Sequence, residues 1–345
     1  MSILVTDRLQ RPLHDLRVSV TDRCNFRCPY CMPAEIFGHD YEFMPRDEIL
    51  RFEEILRVLR ATVPLGVRKL RITGGEPLLR KDLHRLIRGA REIQGLEDIA
   101  LTTNGTLLER TAVSLRQAGL SRLTVSLDSV DAEVFSVMNG HRLSLERVLE
   151  GIQAAESAGF QRIKINCVVQ KGVNDHTMVD LAKHFRGSGH IVRFIEYMDV
   201  GTRNGWKLDE VLTAEEMLTR LQKEIPLEPI ESNYTGEVAR RYRYTDGSGE
   251  IGLITSVSKP FCGDCSRARL TTDGRLVTCL FAKGGTDLRT LLRSGGSDEA
   301  LRDRIADIWS ARTDRYSEER TQMSESDQIQ YAEQNSRVEM YEVGG

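Results

Sequence analysis

Six of the seven cysteines fall into two trios, and thiols at such close spacing are metal ligands before they are anything else. Cys24, Cys28 and Cys31 form C-x3-C-x2-C. A [4Fe–4S] cluster normally takes four thiolates, so a cube held by three keeps one iron free for a further group, and chemistry can happen there. The same thiols with His39 could instead make a structural Cys3His zinc site, although zinc motifs usually separate two ligand pairs by about a dozen residues. Cys262, Cys265 and Cys279 form a second trio, C-x2-C-x13-C. No His follows His190, so zinc there would need a carboxylate or water as its fourth ligand. A second cluster with an open iron accounts for three ligands without a missing partner. Within this trio stands Arg267-Ala268-Arg269, and guanidinium is the group that grips phosphate through two bonds at once.

The chain has 345 residues, 40% hydrophobic and 29% charged, which suits a soluble globular protein of one large domain or two. A net charge of -3 gives no bulk attraction to nucleic acid or to an anionic membrane, so anions must be held by local Arg and Lys clusters. Residues 1–23 lack the apolar core of a signal peptide, and no run of about 18 apolar residues occurs, so the expected location is cytoplasmic. Cysteines grouped in this way fit metal ligation in a reducing compartment, with Cys167 left as a buried structural thiol.

Elements must bring these groups together. Strand-like runs at Leu16–Val20, Lys69–Thr73, Ile99–Thr103, Leu123–Leu127, Ile163–Val168 and Ile191–Tyr197 alternate with amphipathic helical stretches. This predicts an α/β fold, an open (β/α)6 partial TIM barrel, with a flat doubly wound sheet as the runner-up. The strands alternate oily and polar residues, so helices cover one face and the other lines a lumen. Arg17, Arg71 and Lys164 share the lumen parity and predict a cationic cavity; separately ion-paired strand ends are the plainer alternative. The loops after strands carry the expected chemistry: Cys24–Cys31 follows the first and Gly74-Gly75-Glu76-Pro77 the second. The barrel is expected over 1–212. A smaller C-terminal mixed β region over 213–312 would carry the second cluster, its hairpin turned by Asp273-Gly274 in type I′ form and returning Cys279 to the level of Ala268. Residues 313–345 read as a flexible polar tail, but one that regains apolar character before Gly344-Gly345.

C-x3-C-x2-C with Tyr30 before its last Cys, and the Gly74–Pro77 stretch after the next strand, resemble the signature of radical S-adenosylmethionine enzymes. With the second trio, the Arg267–Arg269 run, Met198-Asp199-Val200-Gly201 and the terminal Gly-Gly, the chain resembles, over nearly its whole length, the members of that family that cyclise GTP in molybdenum cofactor biosynthesis. The resemblance implies two [4Fe–4S] clusters. That on Cys24, Cys28 and Cys31 would bind S-adenosyl-L-methionine, contacted by Tyr30, Gly75, Ser126 and Met198. That on Cys262, Cys265 and Cys279 would take the guanine base. Arg17, Arg71, Thr102, Lys164, Arg267, Ala268 and Arg269 would bind GTP. Arg17, Arg267, Arg269, Gly344 and Gly345 join the first trio as the implied catalytic set. The implied reaction is hydrogen removal from C3′ of GTP by a 5′-deoxyadenosyl radical and closure onto C8, giving 3′,8-cyclo-7,8-dihydro-GTP. An external one-electron reductant (flavodoxin or similar), a downstream cyclic pyranopterin monophosphate synthase and a homodimer are the implied partners. The competing expectation is a peptide-maturing radical enzyme with an auxiliary cluster. It would not need five lumen cations, and the 23 residues before Cys24 leave little room for a leader-peptide domain.

Overall fold

The computed structural model describes residues 4–234, 236–320 and 337–344. Six parallel strands lie side by side in chain order: β1 Asp15–Ser19, β2 Lys69–Thr73, β3 Asp98–Thr103, β4 Arg122–Ser126, β5 Lys164–Val169 and β6 Ile191–Glu196. Leu16, Val18, Ile72, Val125 and Ile165 are 0% exposed and form one face with the covering helices, as their alternation requires. The helix Phe52–Thr62 shows how that cover is built: Ile55, Val58 and Leu59, at helical spacing, are all buried in the same core.

The C-terminal strands are β7 Leu227–Ile230, β8 Ala239–Tyr244, β9 Glu250–Ile254, β10 Arg267–Leu270, β11 Arg275–Val277 and β12 Thr286–Asp287. They do not form a sheet of their own. β10 pairs in parallel with β1 and β9 in parallel with β6, giving one sheet of order β12-β11-β10-β1-β2-β3-β4-β5-β6-β9-β8-β7. An exposed sheet edge carries unpaired backbone groups, and the C-terminal strands satisfy both edges of the six-stranded unit. The seven steps from β10 to β9, at ~4.8 Å each, would span about 34 Å in a flat sheet. Yet Ile254 of β9 and Arg269 of β10 line one cavity, so the sheet is curved into a barrel and the flat alternative fails.

Two local expectations are corrected. Gly274 has φ 89° and donates to the Thr271 carbonyl, while Thr271 donates to the Arg275 carbonyl; Asp273 is not among the positive-φ residues. The turn is therefore a type I turn closed by a left-handed glycine, not type I′. The pairing of Arg269 with Val277, carried two residues on, brings Cys279 level with Arg267 rather than Ala268. The expected loose tail is corrected only for its described parts, 313–320 and 337–344. Tyr316 and Arg320 on a short helix, and Val338, Tyr341 and Val343 near the end, are buried, because the apolar residues among them find partners that the polar composition hides. Among the described residues no helix is long and apolar enough to cross a membrane.

Candidate active site

The loop after β1 holds the first trio. Arg27 stitches it together, donating from Nε to the Phe37 carbonyl at 2.6 Å and from one terminal nitrogen to the Cys24 carbonyl at 2.9 Å. The amides of Cys31 and Met32 both turn back onto the Cys28 carbonyl. Cys24, Cys28 and Cys31 line one cavity of about 1060 Å³ counting its open mouth, and all four residues expected at the cosubstrate, Tyr30, Gly75, Ser126 and Met198, line it too. A Cβ at Gly75 would stand 2.3 Å from the Arg23 carbonyl, so only glycine lets the loop after β2 lie against the cysteine loop. His39 points away, fully exposed beside Asp40, and takes no part.

Burial, then the Glu76 carboxylate, pushes the Cys24 thiol up to about 12. Cys28 and Cys31 are raised as well, each by burial first and then by neighbouring negative charge. Three half-buried thiols with little nearby positive charge stay protonated unless a metal ionises them, so the donor set fits a cluster. Two residues beyond the expected set belong here. Glu76, pushed up to about 7 by burial, accepts from Thr103 Oγ1 at 2.8 Å and from the Asn104 amide at 2.7 Å. Asp128, pushed up to about 6 by burial, accepts the Tyr30 hydroxyl at 2.8 Å and the Val168 amide at 2.8 Å. The sequence signals were position only: Glu76 inside the Gly-Gly-Glu-Pro stretch, and Asp128 two residues beyond Ser126.

The second trio lines a neighbouring cavity of about 950 Å³ together with Arg17, Arg71, Arg193, Arg267 and Arg269. Its electrostatics differ. Burial alone would raise Cys265, but Arg267 and Arg312 bring it down to about 6, each with a terminal nitrogen 3.3 Å from Sγ. Cys279 is pushed up to about 11 by burial and then Asp314. The loop is clamped from behind, with Arg11 donating to the Cys262 carbonyl at 2.8 Å and Arg312 to the Cys265 carbonyl at 2.7 Å. Among the described residues no three His, Cys, Asp or Glu close to the spacing of a single-ion site. A cube takes one thiolate per iron and so holds its ligands further apart.

Register explains the charge. β1 pairs Arg17 with Arg269 of β10 on one side and with Arg71 of β2 on the other, so three guanidiniums stand abreast on the lumen face. The Nε atoms of Arg267 and Arg269 are buried without a hydrogen-bond partner. Such a row is self-repelling, and burial of unpaired charge is costly, so the site is built for an anion of several charges. Lys164 adjoins it through a third chamber shared with Arg71, Arg193 and Lys69. Burial, then Arg193, brings Lys164 down to about 7. Arg193, absent from the expected set, donates twice to Asn166 Oδ1, at 2.9 and 2.7 Å. Ala268 is a correction: paired with Leu16, it faces the oily side and is 1% exposed in the core, because neighbours in a strand point oppositely. Thr102 lies in the first cavity and not the second, its Oγ1 buried and unpartnered.

The chain end closes the first cavity. Met340 lines it, and Gly344, at φ 64°, lies so near Thr73 that a Cβ would be 2.0 Å from Cγ2. Gly345 lies outside the described residues. Asn166, Ile195 and Met198 border the cavities of both thiol trios, so the two cavities adjoin.

Two family models match in succession, Radical SAM superfamily over residues 18–185 and Molybdenum Cofactor Synthesis C over 190–318. The chain is 51% identical to a GTP 3′,8-cyclase of Xanthomonas axonopodis over 345 residues, all of both chains. It is 48% identical to one of Staphylococcus carnosus over 342 residues, 99% of each, and 53% identical to one of Acidothermus cellulolyticus over 318 residues, 91% of this chain and 88% of that one. In fold it is similar to Streptococcus suis SuiB bound to S-adenosylmethionine, with a TM-score of 0.60 at 16% identity, covering 87% of this chain and 66% of that one.

Proposed function

The chain belongs to the GTP 3′,8-cyclase family of radical S-adenosylmethionine proteins, and from that premise we propose that it converts GTP to 3′,8-cyclo-7,8-dihydro-GTP, the first step of molybdenum cofactor biosynthesis. One observation carries the reading: Arg71, Arg17 and Arg269 stand abreast in the cavity of the second thiol trio, an arrangement that is unfavourable without a polyanion and suits a triphosphate. A [4Fe–4S] cluster on Cys24, Cys28 and Cys31, with S-adenosylmethionine at its free iron, would supply the 5′-deoxyadenosyl radical that takes hydrogen from C3′. Tyr30, Gly75, Ser126 and Met198 shape the pocket of that cosubstrate. Arg17, Arg71, Lys164, Arg267 and Arg269 hold the triphosphate and so orient the sugar. Cys262, Cys265 and Cys279 would hold a second [4Fe–4S] cluster facing the guanine base. Gly344 stands against Thr73 where no side chain fits. In this division of labour residues 1–212 generate the radical and residues 213–312 hold the base. A one-electron reductant such as flavodoxin and a cyclic pyranopterin monophosphate synthase stand on either side of the reaction.

The peptide-maturing alternative has no support beyond the fold, since likeness to SuiB at 16% identity says nothing of substrate. Anaerobic purification should give about eight irons and as many sulfides per chain, two cubes of four. Cys24→Ala should abolish reductive cleavage of S-adenosylmethionine. Cys262→Ala should spare that cleavage and abolish cyclisation. Stoichiometric zinc at either trio, or full cyclisation by both variants, would refute the assignment.

A further inference from the structure

The loop after β6 does two things at once. Met198 forms part of the wall that borders both cavities, and the residues that follow it bind the C-terminal segment. Asp199, 8% exposed, gathers groups from both sides of residues 321–336. Arg320 donates to its Oδ1, and the Tyr316 hydroxyl donates to its Oδ2 at 2.7 Å. From the C-terminal segment, Arg337 donates to the same Oδ2 and to the Asp199 carbonyl, both at 3.0 Å, and to the Tyr316 hydroxyl oxygen at 2.7 Å. One carboxylate thus draws two stretches of chain to a single point.

The next residues continue the grip. Gly201 has φ 77°, and a Cβ there would stand 2.1 Å from Glu339 Oε2, so the loop is shaped to let that carboxylate in. The amide and hydroxyl of Thr202 both donate to Glu339 Oε1 at 3.1 Å. Beyond Glu339, Met340 becomes cavity wall and Val343, 0% exposed, packs with Val277 and Val338. The contacts therefore run without a break from Asp199 to the residues that close the first cavity.

We propose that Asp199 is the positioning residue of the C-terminal segment: it latches Arg337 and so holds Met340 and Gly344 in place as cavity wall, coupling the docking of the tail to the placement of its sequence neighbour Met198. Two buried guanidiniums donate to this carboxylate, so its replacement takes one charged acceptor from both at once. Arg320 sits on a helix, whereas Arg337 leads directly into Val338 and Glu339 of the docked segment, so loss of the contact is read in the tail. The Asp199 carboxylate touches neither thiol trio and lines neither large cavity, so its effect on the reaction passes through the tail.

Hydrogen–deuterium exchange on the cluster-loaded full chain, without GTP, tests this. In Asp199→Asn the amides of Val338, Glu342 and Gly344, each hydrogen-bonded to a backbone carbonyl, should exchange at least ~10-fold faster, while those of β2 to β4 stay unchanged. Arg337→Ala removes the same contact from the tail side and should give the same local acceleration, which keeps the test decisive if Asp199→Asn loosens the whole fold. Unchanged tail exchange in Arg337→Ala, or in both variants, overturns the latch. A second readout rests on the GTP reading: both variants should release several-fold more 5′-deoxyadenosine per cyclised product, since the radical would form in a pocket whose wall is displaced. Accelerated exchange with unaltered coupling would leave the latch standing as a docking device and would overturn its link to Met198; faster exchange in a protein that does not turn over GTP at all would count against the cyclase reading instead.

Discussion

Replacing Arg17 with Met should move two measurements in opposite directions. Arg17 lies at matching register between Arg71 and Arg269, and burial followed by those neighbours holds its guanidinium well below the usual range. A like-charge pair directly opposed across strands costs about 0.2–1 kcal/mol, so losing both relieves ~0.4–2 kcal/mol, and Met keeps most of the volume. For a chain of this length that is a rise of about 0.5–3 °C in Tm, read by thermal unfolding of the cluster-loaded protein without nucleotide. Phosphate binding should suffer, because a hydrogen bond to a charged group is worth about 1.5–3 kcal/mol, or roughly 10- to 100-fold in the Kd for GTP by calorimetry. Guanosine, which has no phosphate to lose, should bind poorly to both proteins. An arginine of purely structural use would lower the Tm on replacement. A lower Tm, or an unchanged Kd for GTP, refutes the reasoning.

Other substitutions should act more locally. Gly344→Ala places a methyl against Thr73, so cyclisation should fall at least ~10-fold by product assay while iron content and Tm hold. Lys164, brought down to about 7 by burial and its cationic neighbours, must be protonated to pair with phosphate. GTP affinity should therefore weaken as pH rises from about 6 to about 8, by up to tenfold per unit from this group, and Lys164→Met should remove that part of the slope in a calorimetric pH series. Asp128→Ala takes away the acceptor of the Tyr30 hydroxyl and should weaken S-adenosylmethionine binding about 5- to 30-fold by equilibrium dialysis, with Asp128→Asn retaining most of the affinity.

Strands β1, β2, β4 and β5 were legible because their lumen faces carry charge or hydroxyls, so the alternation that fixes which side is buried is written in the residues themselves. β6 reads Ile-Val-Arg-Phe-Ile-Glu, apolar on both faces, and a strand buried on both sides loses the alternation, which hid Arg193. Ala268 was misplaced because a motif was read as a run when a strand presents only every second residue to one side. The edges taken by β9 and β10 leave no local trace, since parallel pairing has no hairpin to announce it. Asp199 stood in plain view, but its partners lie 117, 121 and 138 residues away, and nothing near it marks which guanidiniums it meets.

The seam between β1 and β10 bears on how the molecule is made. Asp15 pairs with Arg267, and at ~5–20 residues per second the roughly 250 residues between them take on the order of 10–50 s to leave the ribosome. For that interval β1 has a free edge, and so does β6 until β9 emerges, while all of the first cysteine trio is already present. Such long-range closure is slow by topology. A nascent chain halted between β6 and β9 would carry two bare sheet edges and two of the three arginines of the cation row, which makes it a template for aggregation and not a smaller working enzyme. Expression at low temperature, or with chaperones that cover strand edges, should raise the yield of folded protein more than added iron does.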